Sequence, residues 1–328
     1  MPFFRCGCCD AALDRRYFDQ PFACIQCHGS AVESLEDYIE WNSITEAFVP
    51  PGDAYSDIFL DTGIDTRVIL RSCTRSLNKI HQSNKSLAGN FRLSDLFLDK
   101  RKCVRFDSRK AMDLVECTLE NKTADYCTYG LILSRDLFRG QVIPADILKW
   151  IYLMEVQPSK DEYLIVHNIC LMESRQSVAH FGSLYAHLEV LRKEKSRIYW
   201  LIIKELTARH PFWEEETGQN IYVESHSTYK DPKTGECANY EHDARGLLRL
   251  VWNLSKHVLP DSVVFIPDPK ARKGQKFKRL VAARKFTDRM IESMIKSTFI
   301  GLMVDLQELM HKWGHLERFV LEEGMGKA

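Results

Sequence analysis

The chain has 328 residues, 45% hydrophobic and 27% charged, with 45 Lys plus Arg against 45 Asp plus Glu. That length holds two domains, or one large one with an appendage, and the composition is that of a globular chain with a sizeable core. Zero net charge argues against a uniformly basic nucleic-acid coat, though not against a local patch, and the lack of any run of about 18 apolar residues argues against a membrane partner.

In chain order, the cysteines come first. Cys6 and Cys9 form one C-x2-C pair, and Cys24 and Cys27 form a second after a 14-residue spacer, Asp10 to Ala23. Two such pairs are the ligand layout of a four-thiolate zinc site, each pair folding as a knuckle with both sulfurs turned to one metal. Phe4, Tyr17, Phe18 and Phe22 are expected to pack around it, and metal binding would supply folding energy on the order of 10 kcal/mol. Cys8 and His28 are the spare donors. Cys24-Ile25-Gln26-Cys27-His28 also spells the covalent haem-attachment pattern, and a disulfide framework is the other alternative. Both call for an exported chain. Residues 1–6 have no charged n-region and apolar run, so the expectation is a cytoplasmic protein with Zn2+ on Cys6, Cys9, Cys24 and Cys27. The other six cysteines show no paired spacing and are expected to be reduced thiols.

Cys6-Gly7-Cys8-Cys9 with Phe22-Ala23-Cys24-Ile25-Gln26-Cys27 resembles the zinc site of the C subunit of the bacterial flagellar master regulator. The resemblance covers residues 6–27 and implies zinc and transcriptional regulation. In that family the site follows a helical domain, whereas here it opens the chain.

Ser30–Phe48 is acidic, with Val32, Leu35, Tyr38, Ile39, Trp41 and Ile44 at helical spacing. Pro50-Pro51-Gly52 breaks it and marks a linker. Asp57–Leu60 and Arg67–Arg71 read as strands around a Thr62-Gly63 turn, Ser76–Lys85 as a helix, Lys102–Asp107 as a strand and Lys110–Leu119 as a helix. Tyr129–Leu133 and Glu162–Cys170 read as buried strands, with a helix at Ala145–Val156 behind Pro144. The second half is more helical. Ser174–His210 is one long periodic run ended by Pro211. Asn220–Glu224 and the flank after Asp231-Pro232-Lys233-Thr234-Gly235 read as a hairpin. Tyr240–His257 is a helix, Val263–Ile266 a strand, and Lys276–Phe319 a long helix bent near Gly301.

Three constellations carry chemistry. Pro269–Arg289 concentrates Lys270, Arg272, Lys273, Lys276, Lys278, Arg279, Arg284 and Lys285, as a phosphate backbone requires. Arg175-Gln176-Ser177-Val178-Ala179-His180 resembles the Arg-polar-x-x-x-His motif of HEPN-domain ribonucleases. That resemblance implies a metal-independent RNA cleavage with His180 as acid or base and Arg175 on the phosphate, although Gln176 stands where that family has Asn or Asp. Phe59-Leu60-Asp61-Thr62-Gly63 resembles the catalytic loop of retroviral-type aspartic proteases, or else is a strand–turn–strand. His226, Asp231, Glu236, His242 and Asp243 crowd the expected hairpin without a diagnostic spacing, and His311 and His315 lie four apart without the glutamate of a zincin. Walker A, Gly-x-Gly-x-x-Gly and Gly-x-Ser-x-Gly sequences are absent, which lowers nucleotide hydrolysis, Rossmann redox and α/β-hydrolase chemistry.

The reading is an α+β protein: a zinc ribbon at 1–30, an acidic helix and linker at 31–52, a mixed α/β body at 53–172, and a helix-rich region with the basic segment at 173–328. The leading function is zinc-dependent binding of DNA or RNA, or regulation. The alternatives are the Arg175–His180 ribonuclease and an adaptor that grips a partner protein. Oligomeric state stays open.

Overall fold

A computed structural model describes residues 21–23, 32–52, 59–156, 158, 160–229, 237–257, 264–265, 280–281 and 287–316. Helices and strands are mixed, and the chain divides into two units. The first comprises Met1–Glu46 and Leu60–Glu173, the second Ala47–Phe59 and Ser174–Ala328. Among the described residues, no helix is long and apolar enough to cross a membrane.

The first unit holds a four-stranded sheet. Its strands are β1 (Phe22–Ala23), β2 (Val32–Ser34), β6 (Leu96–Asp99) and β7 (Val104–Asp107), in the order β1-β7-β6-β2. β1 runs parallel to β7, whereas β6 is antiparallel to both β7 and β2. Leu96 and Leu98 of β6 are buried while their neighbours Phe97 and Asp99 are half-buried, the period of two that a sheet with one covered face imposes. Two short ribbons are also described, β3 (Thr45–Phe48) with β4 (Phe59–Thr62), and β5 (Lys85–Ser86) with β8 (Val115–Glu116).

Between β2 and β3 lies α1 (Leu35–Trp41), where the hydroxyl of Ser34 accepts from Glu36 N. The covering helix is α2 (Ile64–Gln82), which packs on β7 through a stripe of Ile69, Leu70, Cys73, Leu77 and Ile80. α3 (Leu119–Ile132) packs against α4 (Ala145–Val156), with Tyr126, Tyr129, Trp150, Ile151 and Met154 inside. Trp150 Nε1 donates to the carbonyl of Ile165 at 2.9 Å, tying α4 to α5 (Glu162–Val166). Burying such side chains contributes roughly 1.5–3 kcal/mol each.

The described residues of the second unit are mostly helical. Its helices are α6 (Ser174–Lys193), α7 (Arg197–Arg209), α8 (Trp213–Glu216), α9 (Ile221–Ser227), α10 (Ala244–His257), α11 (Asp288–Thr298) and α12 (Leu302–Lys312), with a ribbon of β9 (Val264–Phe265) and β10 (Leu280–Val281). α10 turns Leu247, Leu248, Val251 and Leu254 inward. Asn220 caps α9, accepting from the amides of Tyr222 and Val223, and its Nδ2 donates to Pro51 O at 2.8 Å.

Several expected elements change identity. Arg67–Arg71 lies inside α2, and Tyr129–Leu133 closes α3 and opens a π turn at Leu133–Leu137. Glu162–Cys170 is α5 plus a 3-10 turn at Ile169–Leu171 rather than a strand. A short apolar run suits a buried helix as well as a buried strand, so the packing partner decides. Lys110–Leu119 is instead the end of the 3-10 turn Ser108–Met112, then β8, then the first residue of α3. Ser30–Phe48 is helical only over α1, and Asn220–Glu224 enters α9. The long run from 174 breaks at Lys195, where φ is 55°, and Ser196 caps α7 by accepting from Ile198 N. Lys276–Phe319 holds β10 and two helices, separated at Gly301, whose φ of 78° is the left-handed geometry that glycine adopts without strain.

Candidate functional site

Cys6, Cys9, Cys24 and Cys27 lie outside the described residues, as do Lys270, Arg272, Lys273, Lys276, Lys278, Arg279, Arg284 and Lys285. The approach to the second cysteine pair is described. Phe22 and Ala23 are buried in β1, with Phe22 opposite Phe106 and Ala23 opposite Asp107. Phe22 therefore packs on the body of the first unit, its ring centroid 6.2 Å from that of Phe106. β1 and β2 are the two edges of the sheet.

Arg175 and His180 both sit on α6, but five helical residues turn the chain by about 140° beyond a full turn. Arg175 is exposed, whereas His180 is only 3% exposed and its Nε2 lies 3.2 Å from Nε2 of Gln307 on α12. The structure does not bring the two onto one face. Asp61-Thr62-Gly63 forms a strand-to-helix junction rather than a strand–turn–strand. Asp61 Oδ2 pairs with Arg67 Nη2 at 2.5 Å, and Arg67 Nη1 donates to Met172 O at 2.9 Å. The aspartate is thus engaged within the core. His242 pairs with Glu214 at 2.6 Å, Asp243 with Arg245 at 2.8 Å, and His226 Nδ1 lies 2.9 Å from Tyr222 O. His315 meets His187, ring nitrogens 3.1 Å apart. Among the described residues, no group of three His, Cys, Asp or Glu side chains is placed to hold a metal ion.

Among the described residues of the first unit is a dense polar cluster that the sequence does not announce. α2 presents His81 in its last turn, α3 presents Lys122, Asp125 and Tyr126 along one face, and α5 opens with Glu162. His81 Nε2 lies 2.9 Å from Asp125 Oδ2, and Nδ1 lies 3.3 Å from Glu162 Oε1. Asp125 Oδ2 also accepts from Ser86 Oγ at 2.6 Å and Leu87 N at 3.1 Å, and Oδ1 accepts from Gly89 N at 2.8 Å. Glu162 accepts further from Tyr126 Oη at 3.1 Å and Lys122 Nζ at 2.7 Å. The His81 and Asp125 side chains are 1% and 0% exposed.

Burial disfavours the His81 imidazolium, but its hydrogen bonds to Asp125 and Glu162 outweigh that and raise its pKa. Burial likewise opposes the Glu162 carboxylate, yet the bonds from His81 and Lys122 carry its pKa down to about 2. Burial, then the Glu162 charge, push the Tyr126 phenol up. When His81 is protonated, both imidazole nitrogens donate, one to Asp125 and one to Glu162. That arrangement holds a charge and clasps the 86–89 loop, where Ala88 and Gly89 take φ of 51° and 72°. It leaves the imidazole no lone pair for proton abstraction while His81 is charged.

A second cluster sits in the second unit. Asp305 Oδ2 lies 2.9 Å from His210 Nε2, and Oδ1 accepts from Arg209 Nη1 at 2.8 Å. Arg209 also pairs with Glu308 at 2.9 Å. The Glu308 bond, offset by burial and reinforced by the Glu308 charge, raises the guanidinium's pKa. No periodicity reveals either cluster, because the partners are 44, 81 and 95 residues apart. The chain matches no family model and no curated protein.

Proposed function

We propose that this protein is a zinc-dependent nucleic-acid-binding regulatory protein of the cytoplasm. The observation that carries the reading is the pairing Cys6-x2-Cys9 and Cys24-x2-Cys27 in one chain with the basic run Lys270–Arg289. Four thiolates suit zinc by charge and softness. On this reading Cys6, Cys9, Cys24 and Cys27 hold the metal, which locks the N-terminal ribbon as a rigid platform. The burial of Phe22 and Ala23 in β1, directly before Cys24 in the sequence, is compatible with this reading. Lys270, Arg272, Lys273, Lys276, Lys278, Arg279, Arg284 and Lys285 then neutralise phosphates, a contact that positions without reading bases.

The test has two parts. Elemental analysis of the purified protein should find one zinc, lost in Cys6→Ser and Cys27→Ser and kept in Cys8→Ser. DNA and RNA binding should fall linearly in log affinity against log salt, and replacing Lys273, Lys276 and Arg279 by glutamine should flatten the slope by roughly 2 to 3 units. A metal-free protein, or a triple variant with the parent's slope, sinks the reading.

One observation favours the adaptor as a second reading. Trp41 at the end of α1 is 84% exposed, next to the exposed acids Glu36, Asp37 and Glu40. An exposed indole beside acids is the kind of anchor that a basic partner protein buries. This reading takes the lead if neither DNA nor RNA binds.

A further inference from the structure

The outer face of α10 carries Arg245, Arg249, Trp252 and Lys256, spaced by four, three and four residues. At 1.5 Å per residue this is one stripe roughly 16 Å long, opposite the buried leucines. Each cation on it lies against a ring. Arg245 sits 5.5 Å from the Trp200 centroid, Arg249 5.5 Å from that of Tyr240, and Lys256 4.5 Å from that of Trp252. Trp252 in turn lies 5.5 Å from Tyr185 of α6, the planes 35° apart. Gly182 allows this approach, since a Cβ there would stand 2.7 Å from Cζ3 of Trp252. Trp200, on α7, is 52% exposed, so part of its ring is open to solvent. At the start of the stripe Tyr240, Arg245 and Arg249 line an open depression of about 910 Å³.

Of the acids near this face, Asp243 is held by Arg245 at 2.8 Å and Glu189 by Arg192 at 2.8 Å, while Glu241 is exposed and lines the depression. Arg249 and Lys256 pair with rings rather than carboxylates among the described residues. Alternating aromatic faces and cations suit a ligand that itself alternates flat bases and phosphates. A duplex hides its base faces within the stack, whereas a single strand exposes them. An acidic peptide would satisfy the cations but leave the exposed indole without a flat partner.

We propose that the α10 face, with Trp200, Tyr240, Arg249, Trp252 and Lys256, is a stacking platform for single-stranded nucleic acid. Bases lie on Trp200 and Tyr240, and Arg249 and Lys256 take the phosphates. The assignment rests on the nucleic-acid reading above and adds to it a strand preference and contact residues other than the cysteines and the Lys270–Arg289 run.

The experiment is fluorescence anisotropy on the full chain with a labelled oligothymidylate, the matching duplex, and polyglutamate as competitor. Trp200→Ala and Arg249→Gln should each weaken oligothymidylate binding by roughly 10-fold or more and leave the duplex unaffected, while Trp200→Phe keeps most of the affinity. Indole fluorescence should be quenched by the oligomer in the parent and less so in Trp200→Ala. Unchanged helicity by circular dichroism guards against misfolding. If both face variants bind the single strand as the parent does, the platform is overturned and the broader reading stands. If Cys6→Ser and the triple glutamine variant bind as the parent but the face variants do not, the broader reading fails and the platform stands. Binding to neither strand form, or equal displacement by polyglutamate, overturns the platform.

Discussion

In the first unit, Asp125 is buried and accepts from the Ser86 hydroxyl and the Leu87 and Gly89 amides, with the His81 ring 2.9 Å away. In the second unit, Arg249 and Lys256 lie along the outside of α10 against rings, in contact with water. The same charged side-chain chemistry serves different ends because desolvation differs. A buried ion costs several kcal/mol unless every partner is in place, so the Asp125 network tolerates no missing member. An exposed cation costs little to hold, contributes little to folding, and remains available to a ligand. The first arrangement cements a loop between helices, and the second is a surface that an external partner can complete.

The comparison breaks most severely at Asp125. Asp125→Ala leaves His81, Ser86 and two amides without their acceptor and should destabilise the protein by about 3–5 kcal/mol in urea unfolding. A loss below about 1 kcal/mol would mean that the network is not a clasp.

The next effect is on pH dependence. His81 has a folded pKa above its usual value, so its contribution is complete below about pH 6.5 and is lost as pH rises through the folded pKa. Glu162 works in the opposite direction. Its contribution is present above about pH 4.5 and is lost as pH falls towards about 2. Stability from this pair should therefore be greatest between those limits and decline on the alkaline side. His81→Gln should flatten the alkaline decline in thermal melts recorded from pH 6 to 9, whatever its effect on the melting temperature itself. An unaltered alkaline slope would show that His81 is not the titrating group.

The smallest effect belongs to the surface of the second unit. Lys312 and Glu205 pair at 2.6 Å with side chains 52% and 30% exposed. Lys312→Met should change stability by no more than about 1 kcal/mol, and added salt should shrink even that. A larger loss would place this exposed pair closer to the buried network than its exposure suggests.

The elements readable in the sequence were those with a local signature. Pro144 before Ala145–Val156, the periodic leucines of Ala244–His257, and the strand within Lys102–Asp107 each carry their own period or boundary residue. Ser196 caps α7 and marks the break between α6 and α7, which the apolar periodicity of 174–210 did not reveal. The apolar runs at 129–133 and 162–170 were not decidable locally. Tyr126, Tyr129 and Ile132 make a helical period only when the window is widened to the whole of α3.

For the sites the division is sharper. The cysteine spacing and the Lys270–Arg289 charge run belong to the sequence, because ligand pairing within a knuckle and charge density along a segment are local properties. The spacing of Arg245, Arg249, Trp252 and Lys256 is equally local, a single helix stripe. That Trp200 and Tyr185 come to lie along it was decided by the packing of α10 on α6 and α7, whereas Tyr240 belongs to the segment just before α10. The meeting of His81 with Asp125 and Glu162, and of His210 with Asp305, came from tertiary structure alone. Partners so distant in sequence are joined only when apolar burial folds their helices together, and the low dielectric of that interior is what gives their charges weight.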